Sequence, residues 1–358
     1  MDTLKAKYES DMRTWDECAD TYERQIVGGH PDILAFEEFE EDLLDRLLRH
    51  LALTQNRKIK LMDLGCGSGR LHLRYGAKTQ NVLNLDTSHP LVDLKKNSHK
   101  LAYDPLIAKG LSEVWGIDFS QRMIDLAKDK LQIAGLNDDH AIALTFDQGS
   151  AFELEAQPDD ILPIAICLVN SIGVMQGFDG ANALFKSMRN AVEAAQGIAI
   201  VSCYQQEYIE AYALGQYEST MDVSGQPIWL APDTYASHDF LQIPMQYKLA
   251  HSADDTLHVD VYDKNNRLIK RGHMLKRDPA MTRQTIETGD INTYSSYKSH
   301  WYSYNHIQEF IDTHWGAKKS YHVKTQNLDM IRAEPAQMAI LDFGGHLSNI
   351  FKRWKVVK

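Results

Sequence analysis

KIKLMDL, residues 58–64, runs without a break into GCGSGR, residues 65–70. A short apolar run ending in a glycine cluster reads as a strand buried in a parallel sheet. Gly65, Gly67 and Gly69 carry no Cβ, so the backbone there can turn sharply and come within contact distance of a ligand. GRLHLRYG then opens a helix, whose first amides can receive a carboxylate or another polar group. The glycine spacing is GxGxG, not the GxGxxG of dinucleotide-binding turns, so no pyrophosphate site is read here. Taken alone, the stretch is a weak signal, and a tight strand-to-helix turn that binds nothing is its alternative reading.

Working outward, residues 32–53 read as an amphipathic helix. Ile33, Leu34, Phe36, Phe39, Leu43, Leu44, Leu47, Leu48 and Leu51 recur at helical spacing with acids between them, and Asp32 is the expected N-cap. Downstream, residues 77–112 are rich in polar side chains, contain Pro90 and Pro105, and read as an insertion. EVWGID (113–118), HAIALTF (140–146), DILPIAICLVN (160–170) and GIAIVSC (197–203) read as strands. A helix at 120–132, with Ser120 as N-cap, and another at 181–195 lie between them. That alternation argues for a parallel sheet covered on both faces. PMQYKLAHS, TLHVDVYD and RLIKRGHML, within 242–277, alternate polar and apolar residues and read as an antiparallel meander. A helix at 304–315 and the strands KSYHVKT and QMAILDF complete the chain.

The composition is that of a globular protein: 358 residues, 44% hydrophobic and 24% charged. A net charge of −11 disfavours nucleic acid and anionic membrane as partners. Cys18, Cys66, Cys167 and Cys203 are far apart and form no CxxC pair, so they read as reduced thiols. The opening MDTLKAKYESDMRTWDE lacks the apolar core of a signal peptide, and ILPIAICLVNSIGVM is too short to span a bilayer. The expectation is a soluble, cytoplasmic protein with no metal site, since no histidine pair has ligand spacing with a third partner.

VWGIDFSQRMIDLAKDK places Asp118 at the carboxyl end of the strand after the insertion, where a carboxylate can accept hydrogen bonds from both hydroxyls of a ribose. MDLGCGSG and GIDFSQRMIDLAK together resemble the first motif, and the second strand and helix, of the class I S-adenosylmethionine-dependent methyltransferases. The resemblance covers roughly residues 1–204 and the C-terminal helix and strands. It implies an α/β fold: a doubly wound, mostly parallel, seven-stranded Rossmann-like sheet with an inserted antiparallel β lid and an N-terminal helical cap. The domains would be a cap at 1–55, a core at 56–240 and 300–358 carrying the 77–112 insertion, and a lid at 241–299. S-adenosyl-L-methionine would be the cofactor and S-adenosyl-L-homocysteine the product. Asp63, Gly65, Cys66 and Gly67 would follow the methionine part and ribose, and Asp118 the ribose hydroxyls. Phe119 and Met123 would flank the adenine. LTFDQGSAFEL (144–154) resembles the next motif, placing Gly149, Ser150 and Ala151 by the adenine amine, with Asp147 as a substitute acid. CLVNSIGVM (167–175) resembles the fourth, placing Leu168 near the methyl group. Asp118 stands 53 positions beyond Gly65, against the ~20 of related folds. Asp86, 21 positions on, is therefore its rival. The single helix and strand between Asp118 and the GSAF segment favour Asp118.

No NPPY-type tetrapeptide follows the fourth strand, and the meander resembles the lid of small-molecule N- and O-methyltransferases. The resemblance thus implies methyl transfer to nitrogen or oxygen of a small metabolite. Asn170 would orient the acceptor, Tyr22 would close over the cofactor, and His30 is the candidate base. Each has a bland alternative: a strand-end cap, a packing tyrosine, a loop residue. HWYSYNH (300–306) reads either as an aromatic cage for a cationic amine or as a buried strand-to-helix junction. The competing functions are a protein or RNA methyltransferase, a non-catalytic cofactor-binding regulatory module and an NAD-dependent oxidoreductase. Whether the chain forms a homodimer is left open.

Overall fold

The structure is a computed structural model that describes residues 15–16, 19, 31–80, 101–136, 142–204, 246–251, 257–262, 268–273, 302–316, 319–324 and 336–347. Helix α1 (Pro31–Thr54) leads into β1 (Lys58–Leu64), α2 (Arg70–Thr79), α3 (Pro105–Gly110) and β2 (Leu111–Asp118). Helix α4 (Gln121–Ile133), β3 (Ala143–Gln148), β4 (Ile161–Cys167), α5 (Gly177–Glu193) and β5 (Ile198–Tyr204) continue the alternation. After β6 (Gln246–His251), β7 (Leu257–Tyr262) and β8 (Leu268–His273) come α6 (Tyr304–Phe310), β9 (Ser320–Lys324) and β10 (Ala336–Asp342).

Seven strands form one sheet in the order β3-β2-β1-β4-β5-β10-β9. The first five are parallel, and β10 runs antiparallel to both β5 and β9. Because β1 is central and β2 and β4 flank it, the chain reverses direction of winding there, and ligands in open α/β sheets bind outside the carboxyl ends at such a point. Side chains alternate across β4 and β5. Ala165, Cys167, Ala199 and Val201 pack with Phe185 and Met188 of α5 and with Phe310. Ile164, Ile166 and Ile200 pack on the other face with Leu43, Leu44, Leu47, Leu48 and Leu51 of α1. The leucine face of α1 thus belongs to the core of the sheet. The meander is present as β6-β7-β8, antiparallel in sequence order.

Several boundaries differ from the sequence reading. Helix α1 begins at Pro31, so Asp32 lies inside its first turn instead of capping it; a proline is pre-organised for the first helical position. Residues 77–79 finish α2, while Leu111 and Ser112 open β2 paired to β1, so the span between the regular elements is shorter than 77–112. Ser120 caps α4 as expected, its hydroxyl accepting from the Met123 amide at 3.1 Å.

Glu40, Glu41 and Asp45 of α1 are buried, while Glu38 and Asp42 stay exposed. Arg70, Arg74 and Lys78 of α2 recur every fourth residue and face Glu37, Glu41 and Asp45 of α1, which share that period. Arg70 meets Glu41 at 2.6 Å, Arg74 meets Glu41 at 2.7 Å and Asp45 at 3.0 Å, and Lys78 meets Asp45 at 3.0 Å. Buried charges persist only when paired, and this ladder fixes α1 against the helix that leaves the glycine turn. No helix among the described residues is long and apolar enough to cross a membrane.

Candidate active site

Gly65, Gly67 and Gly69 all have left-handed backbones, with φ of 74°, 51° and 77°. Such values cost an L-residue with a Cβ about 1–2 kcal/mol, which accounts for glycine at each position. The loop is lashed to β2: the Gly65 and Cys66 amides donate to the Ile117 carbonyl at 2.8 and 3.2 Å, and Lys130 of α4 donates to the Ser68 hydroxyl at 2.8 Å. The amides of residues 65, 66, 67 and 69 are thereby occupied within the protein, so what the loop offers a ligand here is close backbone approach.

Asp118 ends β2 beside that loop. Its Oδ2 accepts from the Gly67 amide and its Oδ1 from the Ser120 amide, both at 2.9 Å, while its carbonyl accepts from the Gly149 amide at 2.9 Å. A carboxylate has about four acceptor sites. The Gly67, Ser120 and Phe119 amides use three of them, leaving about one. Burial pushes the Asp118 carboxyl up to about 6, against the lowering effect of those amides. Asp63, at the end of β1, is pushed to about 7, again by burial, opposed by Arg70 and reinforced by Asp118.

A cleft opens over these strand ends, lined by Gly65, by Ile117, Asp118 and Phe119, and by residues 149–152 and 174–176. It therefore gathers Gly65, Asp118, Phe119, Gly149, Ser150 and Ala151 of the expected cofactor residues. The other expected residues do not line it. Met123 is buried beneath the cleft with Trp15, Ala19 and Leu126, a cluster that Phe119 and Val174 cover. Leu168 belongs to the core on the α1 side. Cys66 is buried, with its sulfur beside Gly116, and Gly67 acts by holding Asp118. Asp147 does not serve the cleft: it is exposed and accepts from the Trp115 indole at 2.6 Å. Asn170 is buried at the end of β4. Tyr22, His30 and Asp86 lie outside the described residues.

The aromatic run near residue 302 is core in its described part. Tyr302 is fully buried, and its hydroxyl donates to the Gly177 carbonyl at 3.0 Å. Tyr304 stacks on His322 with ring centroids 3.7 Å apart. Neither ring is free to form a cage.

Sequence reading missed two features. The cleft wall at 174–176 continues a short turn, Ser171–Val174, inside the CLVNSIGVM motif, from which only Leu168 and Asn170 were singled out. Glu40 of α1, fully buried, reaches the carboxyl ends of β4 and β5: its Oε1 accepts from the Val169 amide at 3.0 Å and from the Ser202 hydroxyl. The matching four-residue periods of acids at 37–45 and bases at 70–78 were the available sign that this helix face is buried.

No family model matches the chain, and no curated protein does either. Among solved structures it is similar to the CcbJ methyltransferase from Streptomyces caelestis, at 13% identity over 93% of this chain and 98% of that one, with a TM-score of 0.41. It is similar to a SAM-dependent methyltransferase from Methanosarcina mazei, at 10% identity over 80% and 93%, with a TM-score of 0.39. A third is the methyltransferase domain of bacterial CtHen1, at 14% identity over 85% and 98%, with a TM-score of 0.35. The sheet itself, five parallel strands followed by the antiparallel β10 and then β9, is a Rossmann-like doubly wound one.

Proposed function

We propose that the chain is an S-adenosylmethionine-dependent methyltransferase acting on nitrogen or oxygen of a small metabolite in the cytoplasm. One observation carries the reading: Asp118, a buried acid that ends β2 beside the glycine loop, lines the cleft. A vicinal ribose diol presents two donors that a carboxylate can accept. The glycine backbone at Gly65 and the aromatic Phe119 are both among the residues that line the cleft.

When bound, the sulfonium supplies a methyl group already activated for displacement. The residues of the chain have the remaining tasks of orienting the two reactants and excluding water, and such alignment accounts for much of the acceleration in reactions of this kind. Gly65 and the wall at 174–176 shape the channel, and Asp118 fixes the sugar. Asn170, at the end of β4, orients the acceptor in this reading. A neutral amine acceptor needs no strong base, whereas a hydroxyl does. The absence of an NPPY-type segment and the net charge of −11 support a small acceptor over RNA.

Calorimetry with S-adenosylhomocysteine, S-adenosylmethionine and NAD tests the reading. Binding of the first two with micromolar or tighter affinity, and none of NAD, is the expected result. Production of S-adenosylhomocysteine on adding a small-metabolite extract separates an enzyme from a binding module.

A further inference from the structure

Two consecutive residues with side chains, Val169 and Asn170, have left-handed backbones at the carboxyl end of β4, with φ of 50° and 58°. For a β-branched valine that conformation is a genuine outlier, and strain of this kind persists only where the surroundings impose it. The imposing group here is a carboxylate. Glu40 reaches across from α1, accepts from the Val169 amide at 3.0 Å and takes the Ser202 hydroxyl of β5 on the same oxygen. The Val169 amide also lies 3.1 Å from the Ser202 oxygen. The other Glu40 oxygen has no hydrogen-bond partner among the described residues and faces Arg70, the first residue of α2, at 3.6 Å. Burying a carboxylate is costly unless donors surround it, and a hydrophobic side chain would fill the same space without that cost.

We propose that Glu40 is a positioning residue for the acceptor side of the site, holding the Val169–Asn170 turn, and through it the segment leading to the cleft wall, in one conformation. The proposal rests on the methyl-transfer reading for the meaning of "acceptor side". Both Glu40 oxygens are buried and touch no substrate; the residue acts through the turn. From Asn170 the chain continues through Ser171, whose Cβ lies 3.2 Å from where a Gly65 Cβ would sit, to Met175 and Gln176 in the cleft wall. Glu40 therefore links three parts: the helix before the sheet, the exit of the glycine turn, and the strand end where the methyl group is transferred.

The test uses the full chain, labelled with nitrogen-15, as wild type, Glu40→Ala, Glu40→Gln and Ser202→Ala. In Glu40→Ala the backbone signals of Val169 and Asn170 are expected to shift or broaden, while those of Ile164 and Ile200 stay in place. The rate of S-adenosylhomocysteine formation with a small-metabolite extract is expected to fall at least tenfold, and S-adenosylhomocysteine affinity, by calorimetry, less than threefold. Glu40→Gln keeps an acceptor for the Val169 amide and is expected to restore both the signals and the rate to within threefold. Unmoved Val169 and Asn170 signals in Glu40→Ala, or a glutamine variant no better than alanine, overturn the proposal. Should Glu40→Ala not fold, Ser202→Ala decides: a shifted Val169 amide supports the proposal and an unmoved one overturns it. If wild type fails to bind S-adenosylhomocysteine, methyl transfer falls, while the Val169 signal still judges the hold of Glu40 on the turn.

Discussion

Replacing Gly65 with alanine, beside the same change at Gly67, separates backbone strain from steric intrusion into the cleft. Both positions have positive φ, 74° and 51°, so each alanine loses about 1–2 kcal/mol from the left-handed conformation. Their surroundings differ. A Cβ at Gly67 meets nothing within 4 Å, whereas at Gly65 it falls 2.8 Å from Met175 Cε and 3.2 Å from Ser171 Cβ. The methionine methyl can swing aside for about 0.5–1.5 kcal/mol, but it lines the cleft and has the ligand space to move into. Gly65→Ala is therefore expected to destabilise the fold by about 2–3 kcal/mol and Gly67→Ala by about 1–2 kcal/mol. By displacing Met175, the first is also expected to weaken S-adenosylhomocysteine by about 10–100-fold, or about 1.4–2.7 kcal/mol. The second keeps the amide that holds Asp118 and is expected to change affinity less than about threefold, under ~0.7 kcal/mol. Thermal unfolding and calorimetry on the two variants give the four numbers. Equal loss of affinity in both, or none in Gly65→Ala, refutes the steric argument.

Asp118 titrates at about 6 in the unliganded protein because burial raises it, and protonation removes acceptor sites from the ribose. S-adenosylhomocysteine affinity is expected to weaken as pH falls through about 6, with a flatter profile in Asp118→Asn, both read by calorimetry. Glu40 sits at about 7 against an ordinary 4.5. An acid with a raised folded value holds its proton longer than the unfolded chain does, so its contribution to stability declines as pH rises from about 4.5 to 7. Glu40→Gln is expected to gain up to about 3 kcal/mol over wild type above that window and little below it, by denaturant unfolding at pH 4.5 and 8. Leu47, fully buried between α1 and the sheet, is expected to lose about 2–5 kcal/mol on truncation to alanine. A loss below 1 kcal/mol would place α1 outside the core.

The glycine turn and the alternation of strands and helices were legible because each is written in local chemistry. GCGSG states its own need for a sharp turn, and EVWGID and DILPIAICLVN read as strands. The rest depended on what meets across the sheet. Asp147 was a reasonable substitute acid by position, but the register pairing Ile117 with Asp147 leaves it exposed at the Trp115 indole. Leu168 follows the fourth strand directly, yet it packs towards α1. Helical periodicity set Glu40 and Glu41 among the acids between the apolar positions and gave them no partner; Arg70 and Arg74, some thirty residues later, meet them. The left-handed Val169 has no sequence signature, since valine is among the residues least suited to that backbone.

A crystal structure of the full chain with S-adenosylhomocysteine tests the central claim most directly. The expected complex has both ribose hydroxyls donating to the two Asp118 carboxylate oxygens at 2.5–2.9 Å, with the sulfur lying towards the Val169–Asn170 turn. A ligand seated elsewhere, or a ribose held by another acid while Asp118 keeps only its backbone amides, would contradict it.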